Sequence, residues 1–518
     1  MISIRGNIIW VDDEIDHLKP HIISLEDKGY AVAPISNGWD AIESIQTNNF
    51  DLVLMDHFMP GIDGIETVKR IKEIRPELPI IMITKSEEEW LMDEAISEQV
   101  AEYLIKPVNP SQIFSACKRV LEKSRIIDEK NTGDYLKEFR EIEMRIQDSM
   151  TIDDWWNLYN KLVGWQLTFD AQRKPELSDI LEEQIQSCNH EFVNFIDTEY
   201  TNWINSDERP PLSPDILPKF CIPKLKNKEK ICLFVVDCLR YDQLMTLLPE
   251  INRYFDVKMD YAISTLPTAT PFSRNSIFSG LFTDDMFNKY PQQKKIIENH
   301  ELHQNKYEEE FLRDLLKRNN LAKINSYYHK IWKAEEGQRF NNRLSDYMNH
   351  DLIAIVINFI DLLAHKRSES DIIKEMVPDE AGYRQAVRNW FENSWFSECL
   401  LQLAESDFTV VITSDHGSVK VQRGIMVAAD KTASSGVRYK YGRNLNSKDK
   451  NALVIKNPSL YRLPEIGPQS SYLIAKSDTY FLYPTQLRQY QSVFKDSFQH
   501  GGISMEEMLI PVATLKGK

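Results

Sequence analysis

Five short fragments in the second half of the chain carry the acids, imidazoles and hydroxyl groups from which metal-dependent active sites are built. They are ICLFVVDCLRYDQ (231–243), LPTATPFSR (266–274), FIDLLAH (359–365), VVITSDHGS (410–418) and FQHGG (498–502). Their three carboxylates and three imidazoles make a full ligand set for two zinc ions, because zinc binds imidazole nitrogen and carboxylate oxygen readily. The six candidate ligands are Asp237, Asp361, His365, Asp415, His416 and His500.

The same fragments offer a nucleophile. Asp237, Asp361 and Asp415 each follow directly on an apolar run of strand type, and strand ends are rigid anchors for metal ligands. Thr268 and Thr270 both carry a hydroxyl that a neighbouring metal would activate for attack on phosphorus. The residues alone leave the choice between these two threonines open.

A second polar cluster is predicted near the N-terminus. Asp12-Asp13, Asp56, Thr84 and Lys106 each stand at the end of an apolar run. In a parallel sheet these ends meet at one edge, where three carboxylates would bind a hard cation such as Mg²⁺. The lysine and the hydroxyl would neutralise and orient a phosphoryl group.

The elements that must position the N-terminal cluster follow an alternating pattern. Apolar runs at 7–11, 30–34, 51–55, 79–83 and 101–105 are separated by helical patterns. This alternation is typical of βα units on a parallel sheet. Five strands with five helices predict a flavodoxin-like, doubly wound α/β domain over residues 1–122.

The rest of the chain is predicted to form a helical part and a second α/β domain. Apolar residues at helical spacing in 134–150 and 153–165 predict a helical bundle over 123–208, with its tryptophans in the core. Prolines in 209–220 indicate a linker. Strand-like runs return after 221, so residues 221–518 are predicted to form a larger α/β domain.

Composition and charge exclude several classes of protein. The 518 residues are 42% hydrophobic and 27% charged, and the net charge of −16 argues against a surface dedicated to DNA or an anionic membrane. No signal-peptide pattern is evident, and the most apolar run, 352–360, is too short to span a bilayer. Six cysteines without a CxxC pair predict neither disulfides nor a cysteine zinc site. We expect a reduced, cytoplasmic protein without membrane insertion.

The ordered set VDDE, LMDHFMPGIDG, MITKS and YLIKPV resembles a response-regulator receiver domain over its full length. The resemblance implies that Asp56 is the phosphoryl acceptor and that Mg²⁺ binds beside it. The implied magnesium ligands are Asp12, Asp13, Asp56 and the Phe58 carbonyl, and the implied switch residues are Thr84, Tyr103 and Lys106. The alternative is a degenerate receiver whose strand-end acids are merely exposed.

One residue departs from the receiver pattern. Lys85 stands where receivers usually have a small residue after the threonine. Its size and charge leave the lifetime of the acyl phosphate open.

The order Asp, Thr, Asp-x₃-His, Asp-His-Gly and His resembles the alkaline phosphatase superfamily, and the span 221–518 resembles its PglZ-type domain. In the nucleotide pyrophosphatase branch the nucleophile ends a P-[ST]-x-T motif, which implies Thr270 here. The resemblance also implies that one zinc is held by Asp361, His365 and His500 and the other by Asp237, Asp415 and His416.

Two further groups of residues are expected to contact the substrate. Ser273 replaces the asparagine of the nucleotide branch, so Arg274 or Asn275 is expected to stabilise the transition state. The segment 431–450 carries six basic residues, one acid and interleaved tyrosines, a composition that suits a phosphodiester with a stackable base. A solvated loop is the alternative. The candidate residues in this segment are Arg438, Tyr439, Lys440, Tyr441 and Arg443.

The whole chain resembles the PorX family of bacterial response regulators, which is linked to type IX secretion. The resemblance implies a sensor histidine kinase as phosphoryl donor, a phosphorylation-favoured homodimer and the metal domain as output. One hypothesis is a zinc-dependent phosphodiesterase or phosphatase acting on a nucleotide or oligonucleotide. The other is a non-catalytic switch that binds a sigma factor or a secretion-system partner. A DNA-binding factor is disfavoured because no helix-turn-helix pattern or basic domain is visible.

Overall fold

The computed structural model describes residues 6–85, 100–172, 174–294, 305–428, 436–443, 445–465, 469–483 and 487–518. These residues form two compact units, Met1–Glu138 and Phe139–Lys518. The helix Pro110–Arg145 begins in the first unit and ends in the second, so the domain border expected at residue 122 lies within a helix.

The first unit contains a five-stranded parallel sheet in the order β2-β1-β3-β4-β5. Its strands are β1 Gly6–Val11, β2 Tyr30–Ile35, β3 Leu52–Asp56, β4 Ile80–Thr84 and β5 Glu102–Ile105. This order is that of a flavodoxin-like fold and confirms the sequence prediction. Strands β3 and β4 are buried along their whole length, as their continuous apolar sequences require.

Helices flank this sheet, and side-chain caps define where two of them begin. Asn37 accepts a hydrogen bond from the Asp40 amide, and Asp63 accepts one from the Glu66 amide. Among the described residues, the helices that lie wholly in this unit are Lys19–Asp27, Gly38–Thr47 and Gly64–Ile74, preceded by the 3₁₀ turn Ile15–Leu18. The fourth predicted helix falls in residues 86–99, which lie outside the described residues.

The second unit is built on a six-stranded sheet. Its strands are β6 Lys230–Val236, β7 Phe255–Ile263, β8 Ser326–Ile331, β9 Leu352–Ile357, β10 Phe408–Thr413 and β18 Leu509–Gly517. They lie in the order β7-β18-β10-β6-β9-β8. The four strands β10, β6, β9 and β8 are parallel, and β18 is antiparallel to both of its neighbours. Alternate residues of β6 enter the hydrophobic cores on opposite faces, so helices cover the sheet on both sides.

Short strands form small sheets beside the large one. They are β11 Val419–Lys420, β12 Arg423–Met426, β13 Tyr439–Arg443, β14 Ala452–Ile455, β15 Ser470–Ala475, β16 Thr479–Leu482 and β17 Phe498–Gln499. They pair as β11-β17, β12-β16 and β13-β15-β14.

The following helices lie in the part of the second unit that the structure describes. They are Ile152–Gln172, Pro175–Ile204, Ile222–Lys226, Tyr241–Ile251, Thr270–Ser279, Thr283–Lys289, Glu308–Arg318, Ala334–Asn342, Leu344–Tyr347, Phe359–Glu369, Asp371–Met376, Glu380–Glu392, Trp395–Ala404, Leu487–Phe494 and Met505–Met508, with the shorter turns Ser213–Asp215, Leu217–Cys221 and Pro458–Tyr461.

The two helices of the predicted bundle belong to the same compact unit as the large sheet. Trp155 and Tyr159 are buried, as predicted for core packing. The Trp156 ring stacks on Tyr261 at 4.9 Å. The proline-rich segment 209–220, expected as a linker, is packed as well, because Leu212 and Ile216 are fully buried.

Candidate functional site

The acids of the second unit collect at the carboxyl edge of its parallel strands. Asp237 follows β6 directly, and Asp415 comes two residues after β10. The sequence pattern predicted that Asp361 directly follows its strand, and this prediction is wrong. Strand β9 ends at Ile357, and Asp361 lies in the first turn of the helix Phe359–Glu369.

Asp361, His365 and His500 form the first group of candidate metal ligands, with ligand atoms within 4.8 Å of one another. Asp361 and His365 are four residues apart on one helix and therefore share a face. Asp361 Oδ1 lies 3.4 Å from His365 Nε2 and 3.5 Å from His500 Nε2. The two imidazole Nε2 atoms are 3.3 Å apart.

Asp237, Asp415 and His416 form the second group, which is fully buried and equally compact. His416 Nε2 lies 3.6 Å from Asp237 Oδ1 and 3.8 Å from Asp415 Oδ2. The His416 ring stacks on His500 with 4.2 Å between centroids, so the two groups are adjacent.

The two candidate nucleophiles have different surroundings. Thr270 is half-buried at the start of its helix, with Oγ1 3.0 Å from His416 Nε2 and 3.4 Å from Asp237 Oδ1. Thr268 is fully buried, and its hydroxyl donates to the Gly502 carbonyl at 2.7 Å. Only Thr270 therefore presents its hydroxyl to the candidate ligands.

The electrostatics of the six ligands fit bound cations. Burial and the neighbouring Asp415 raise the pKa of Asp237 well above its ordinary value. Burial and His416 lower the pKa of His500. Asp361 Oδ1 and Asp415 Oδ2 are buried without a hydrogen-bond partner among the described residues. Acceptor atoms left in this state, in two groups of three nitrogen and oxygen donors, suit two metal ions with borderline ligand preference.

The first group shows the same balance of charge. Burial disfavours the Asp361 carboxylate, but His365 and the other imidazoles hold the pKa of Asp361 below its ordinary value. The adjacent Asp361 carboxylate raises the pKa of His365, because it stabilises the protonated imidazole. The carboxylate is thus the group to which the imidazoles are oriented.

Arg274 and Asn275 do not face an open site, which corrects their expected role in substrate binding. The Arg274 side chain is 2% exposed, and its guanidinium is paired with Asp237 at 2.5 Å and Glu308 at 2.7 Å. Asn275 is fully buried and donates to the Pro271 carbonyl. Ser273 is buried too and donates to the Thr265 carbonyl. All three side chains are therefore used within the protein.

The basic and aromatic segment divides in the same way. Arg438 is fully buried in a bidentate pair with Glu507, and Lys440 is buried with its ammonium group over the Tyr483 ring. Both residues were expected to contact the substrate, and their burial corrects that expectation. Tyr439 and Tyr441 are half-buried, and Arg443 is exposed. Residues 431–435 and 444 of this segment lie outside the described residues.

The two tyrosines lie close to the nucleophile. Their rings are 5.9 and 6.1 Å from Phe272, which is two residues after Thr270 on the same helix. The Tyr439 ring also packs against Gly501, next to His500, since a Cβ atom on that glycine would lie 2.3 Å from the ring. Tyr439 and Tyr441 thus form an aromatic surface beside the candidate metal site.

The first unit brings its predicted acids together around a lysine. Lys106 Nζ lies 2.9 Å from Asp12 Oδ2 and 2.8 Å from Asp56 Oδ1. Asp12, Asp13 and Asp56 offer ligand atoms within 4.8 Å of one another. Burial, with Asp12 and Asp13 adding to it, raises the pKa of Asp56 against the opposing effect of Lys106. Such a carboxylate cluster fits a hard divalent cation.

The switch residues lie at neighbouring strand ends. Thr84 is buried at the end of β4, and a hydrogen bond joins its side chain to Tyr103 on β5. Phe58 is exposed. The exposed Lys85 side chain lies 3.4 Å from Glu14, so its charge is directed to the rim of the acidic pocket.

Sequence reasoning missed Asn305, Glu308 and Lys330. These residues surround the Arg274 guanidinium and the start of the helix that carries Thr270. No motif marks them, because they lie on separate elements. The one available signal is a glutamate, Glu308, in the first turn of an amphipathic helix yet fully buried.

Comparisons with known proteins match the whole arrangement. The family model of the BREX system PglZ alkaline phosphatase-like domain matches residues 217–515. The response regulator receiver domain matches residues 8–118, and the PorX response regulator linker domain matches residues 125–204.

Curated relatives match the receiver part. The transcriptional regulatory protein ZraR of Escherichia coli O157:H7 is 34% identical over 122 residues, which are 24% of this chain and 28% of the relative. The alkaline phosphatase synthesis transcriptional regulatory protein PhoP of Bacillus subtilis is 31% identical over 119 residues, 23% of this chain and 50% of the relative. The chain thus spans half or less of these relatives.

Solved structures of receiver domains are also similar to part of this chain. A CheY-like receiver domain protein from Methanospirillum hungatei is 26% identical to this chain, with a TM-score of 0.22. The match covers 23% of this chain and 94% of the Methanospirillum hungatei chain.

The helices in the described ranges include none with the length and apolar character that a membrane span requires.

Proposed function

Because the chain belongs to the PglZ family of alkaline phosphatase-like domains and is a response regulator of the PorX type, we propose that its output is zinc-dependent hydrolysis of phosphodiesters. The observation that carries this proposal is the position of the Thr270 hydroxyl. It lies 3.0 Å from His416 Nε2, within a double group of carboxylates and imidazoles. A hydroxyl in this place is suited to nucleophilic attack on phosphorus.

Thr270 is the proposed nucleophile. Its Oγ forms a bond to phosphorus while the ester P–O bond breaks and the alcohol leaves with a proton. Water then attacks the phosphorus of this threonine ester, which still carries the second alcohol group, and breaks the bond to Thr270 Oγ. A phosphomonoester leaves, and the threonine hydroxyl regains its proton. Bound zinc would act as a Lewis acid towards the phosphoryl oxygens and balance the charge of the carboxylates.

The six ligands are proposed to hold two zinc ions. Asp361, His365 and His500 would hold one, and the second group, Asp237, Asp415 and His416, would hold the other. Asp237 would also orient the nucleophile, since its Oδ1 lies 3.4 Å from Thr270 Oγ1.

A nucleotide or oligonucleotide is the proposed substrate class. Tyr439 and Tyr441 are half-buried aromatic residues beside Phe272, close to the nucleophile, and stacking of bases on aromatic rings is tolerant of sequence. Arg443, exposed on the same strand, would attract the phosphodiester backbone.

Phosphorylation of Asp56 by a sensor histidine kinase is proposed to control this output. Asp12, Asp13 and the Phe58 carbonyl would hold Mg²⁺ beside Asp56, and Lys106 would contact the phosphoryl group. The PorX-type organisation supports a role in regulating type IX secretion.

Elemental analysis of the freshly purified full-length protein, followed by a screen of phosphodiester and phosphomonoester reporters, tests the proposal. We expect about two zinc ions per chain, from the ligand count, and turnover of a phosphodiester. A protein that binds two zinc ions but hydrolyses no phosphoester would contradict the enzymatic function. Its metal domain would then serve as a platform for a sigma factor or a secretion-system component.

A further inference from the structure

Glu308 is a fully buried glutamate at the centre of a polar cluster behind the nucleophile. Its carboxylate accepts hydrogen bonds from Arg274 Nε at 2.7 Å and from the Tyr328 hydroxyl. Lys330 Nζ lies 2.7 Å from its other oxygen. Burial opposes ionisation, but Arg274 and Lys330 hold the pKa of Glu308 at about 2, so it carries its charge at neutral pH.

One connection runs from Glu308 to the nucleophile. Asn305 Nδ2 donates to Glu308 Oε1 at 2.9 Å and to the Thr270 carbonyl at 3.1 Å. Lys330 fixes Asn305 in turn, by donating to its carbonyl at 2.8 Å. The first residue of the nucleophile helix is thereby held from outside the helix.

The second connection runs from Glu308 to a candidate metal ligand. Arg274 uses Nε for Glu308 and Nη1 for Asp237 Oδ2, the latter at 2.5 Å. With that oxygen occupied, Asp237 Oδ1 is left 3.4 Å from Thr270 Oγ1. The hydrogen bond from Arg274 therefore determines which carboxylate oxygen of Asp237 faces Thr270.

We propose that Glu308 is a positioning residue, which holds Thr270 and Asp237 in register through Asn305 and Arg274. The proposal rests on the function proposed above. Glu308 also balances part of the Arg274 charge, since the guanidinium pairs with both Glu308 and Asp237. Without Glu308, the ionic partners left to Arg274 among the described residues are Asp237 and Asp415, at 2.5 and 3.9 Å, and both are candidate metal ligands.

Glu308→Gln tests this role, with Glu309→Gln as the matched control. Glu309 is the next residue on the same helix, is 46% exposed and pairs with Arg313 on the surface. We expect Glu308→Gln to release one of two zinc ions to a chelator about 10-fold faster or more, and to lower kcat about 10-fold with KM little changed. Glu309→Gln should leave both quantities at the wild-type values.

Asn305→Ala is the second variant, because loss of the buried Glu308 charge can prevent folding. Asn305 is half-buried, so its removal is easier for the fold to tolerate. It breaks the connection to Thr270 and spares the one to Asp237. We expect a lower kcat with normal zinc release, in contrast to Glu308→Gln.

Zinc release separates this proposal from the proposed function. If the wild type holds zinc but hydrolyses no phosphoester, the hydrolytic function fails, whereas faster release from Glu308→Gln still supports the connection to Asp237. If folded Glu308→Gln and Asn305→Ala keep wild-type zinc release and kcat and lose only thermal stability, Glu308 is a structural charge partner and the positioning role is overturned.

Discussion

Thr268 and Thr270 are two residues apart on the same short segment, but their hydroxyl groups have unrelated partners. Thr270 Oγ1 lies 3.0 Å from His416 Nε2, whereas Thr268 Oγ1 donates to the Gly502 carbonyl at 2.7 Å. Thr270 is the first residue of a helix, whereas Thr268 precedes that helix. The two residues can therefore be tested separately for chemistry and for stability.

Thr270→Ala is expected to lower kcat for a phosphodiester reporter by a factor on the order of 10³ or more, because the variant has no nucleophile. Zinc content should stay at the wild-type value, since all six candidate ligands remain. Steady-state kinetics together with elemental analysis measure both quantities. Retained turnover in a zinc-loaded variant would remove Thr270 from the mechanism.

Thr268→Val supplies the matched control. It removes a buried hydroxyl and leaves the Gly502 carbonyl without that donor. The free energy of unfolding should therefore fall by about 1–3 kcal/mol, and the thermal midpoint should fall with it. The activity of the folded fraction should change far less than in Thr270→Ala. A loss as large as that of Thr270→Ala would show that the two hydroxyls act together.

His365→Ala is expected to remove one zinc ion and to leave the fold intact. The His365 side chain is 48% exposed, so its truncation creates no buried cavity, whereas His500 is 13% exposed and stacks on His416. Elemental analysis after dialysis should give about one zinc per chain, from the ligand count. His329, a histidine outside both groups, provides a control in His329→Ala, which should keep both ions.

Asp56→Asn is expected to abolish labelling by acetyl phosphate in the presence of Mg²⁺. Asp56 is the buried acid that faces Lys106, at 2.8 Å, and the amide cannot form the acyl phosphate. Basal hydrolysis by the second unit should persist in this variant and lose its response to phosphoryl donors. Undiminished incorporation of label into Asp56→Asn would show that another residue is the acceptor.

Phosphorylation is expected to favour a homodimer. The hydrogen bond between Thr84 and Tyr103 couples the acidic pocket to β5, at one edge of the receiver sheet. Light scattering at micromolar protein, with and without a phosphoryl mimic, measures the change in mass. Tyr103→Ala should weaken the response, and an unchanged mass in the wild type would contradict the expectation.

Arg384→Gln is expected to destabilise the second unit by about 3 kcal/mol, since it breaks a buried ionic chain. The Arg384 guanidinium pairs with Asp170 of a linker helix at 2.7 Å and with Asp242 at 3.0 Å. Thermal unfolding measures the effect, and exposed Asp179, changed to Asn, is the control on the neighbouring helix. An unaltered thermal midpoint would show that these ion pairs contribute nothing to the stability of the second unit.

The cost of Arg384→Gln should depend on pH. Burial opposes ionisation of Asp242, but Arg240 and Arg384 hold its pKa at about 2. A carboxyl group whose pKa is lowered in the folded protein contributes stability at pH values above its ordinary pKa. That contribution is lost as the pH falls through its pKa in the folded protein. The difference between wild type and variant should therefore shrink between about pH 4 and pH 2.

Several features of this protein were determined by the sequence itself. The five strands of the receiver part and their parallel arrangement followed from apolar runs. The signal is clearest for β3 and β4, because strands that are buried along their whole length need a continuous apolar sequence. The six candidate metal ligands followed from residue type and order, and the structure brings them together in two groups. Each of these features depends on a short stretch of sequence or on the order of such stretches along the chain.

Only the tertiary structure decided which of the remaining polar residues face the site. Arg274 and Arg438 have the charge expected of phosphate-binding residues, yet each is buried in an ion pair with a glutamate, 34 and 69 residues away along the chain. Thr268 is turned from the site by a carbonyl 234 residues away. The direction of a polar side chain depends on partners supplied by long-range packing, and no local period in a sequence records those partners.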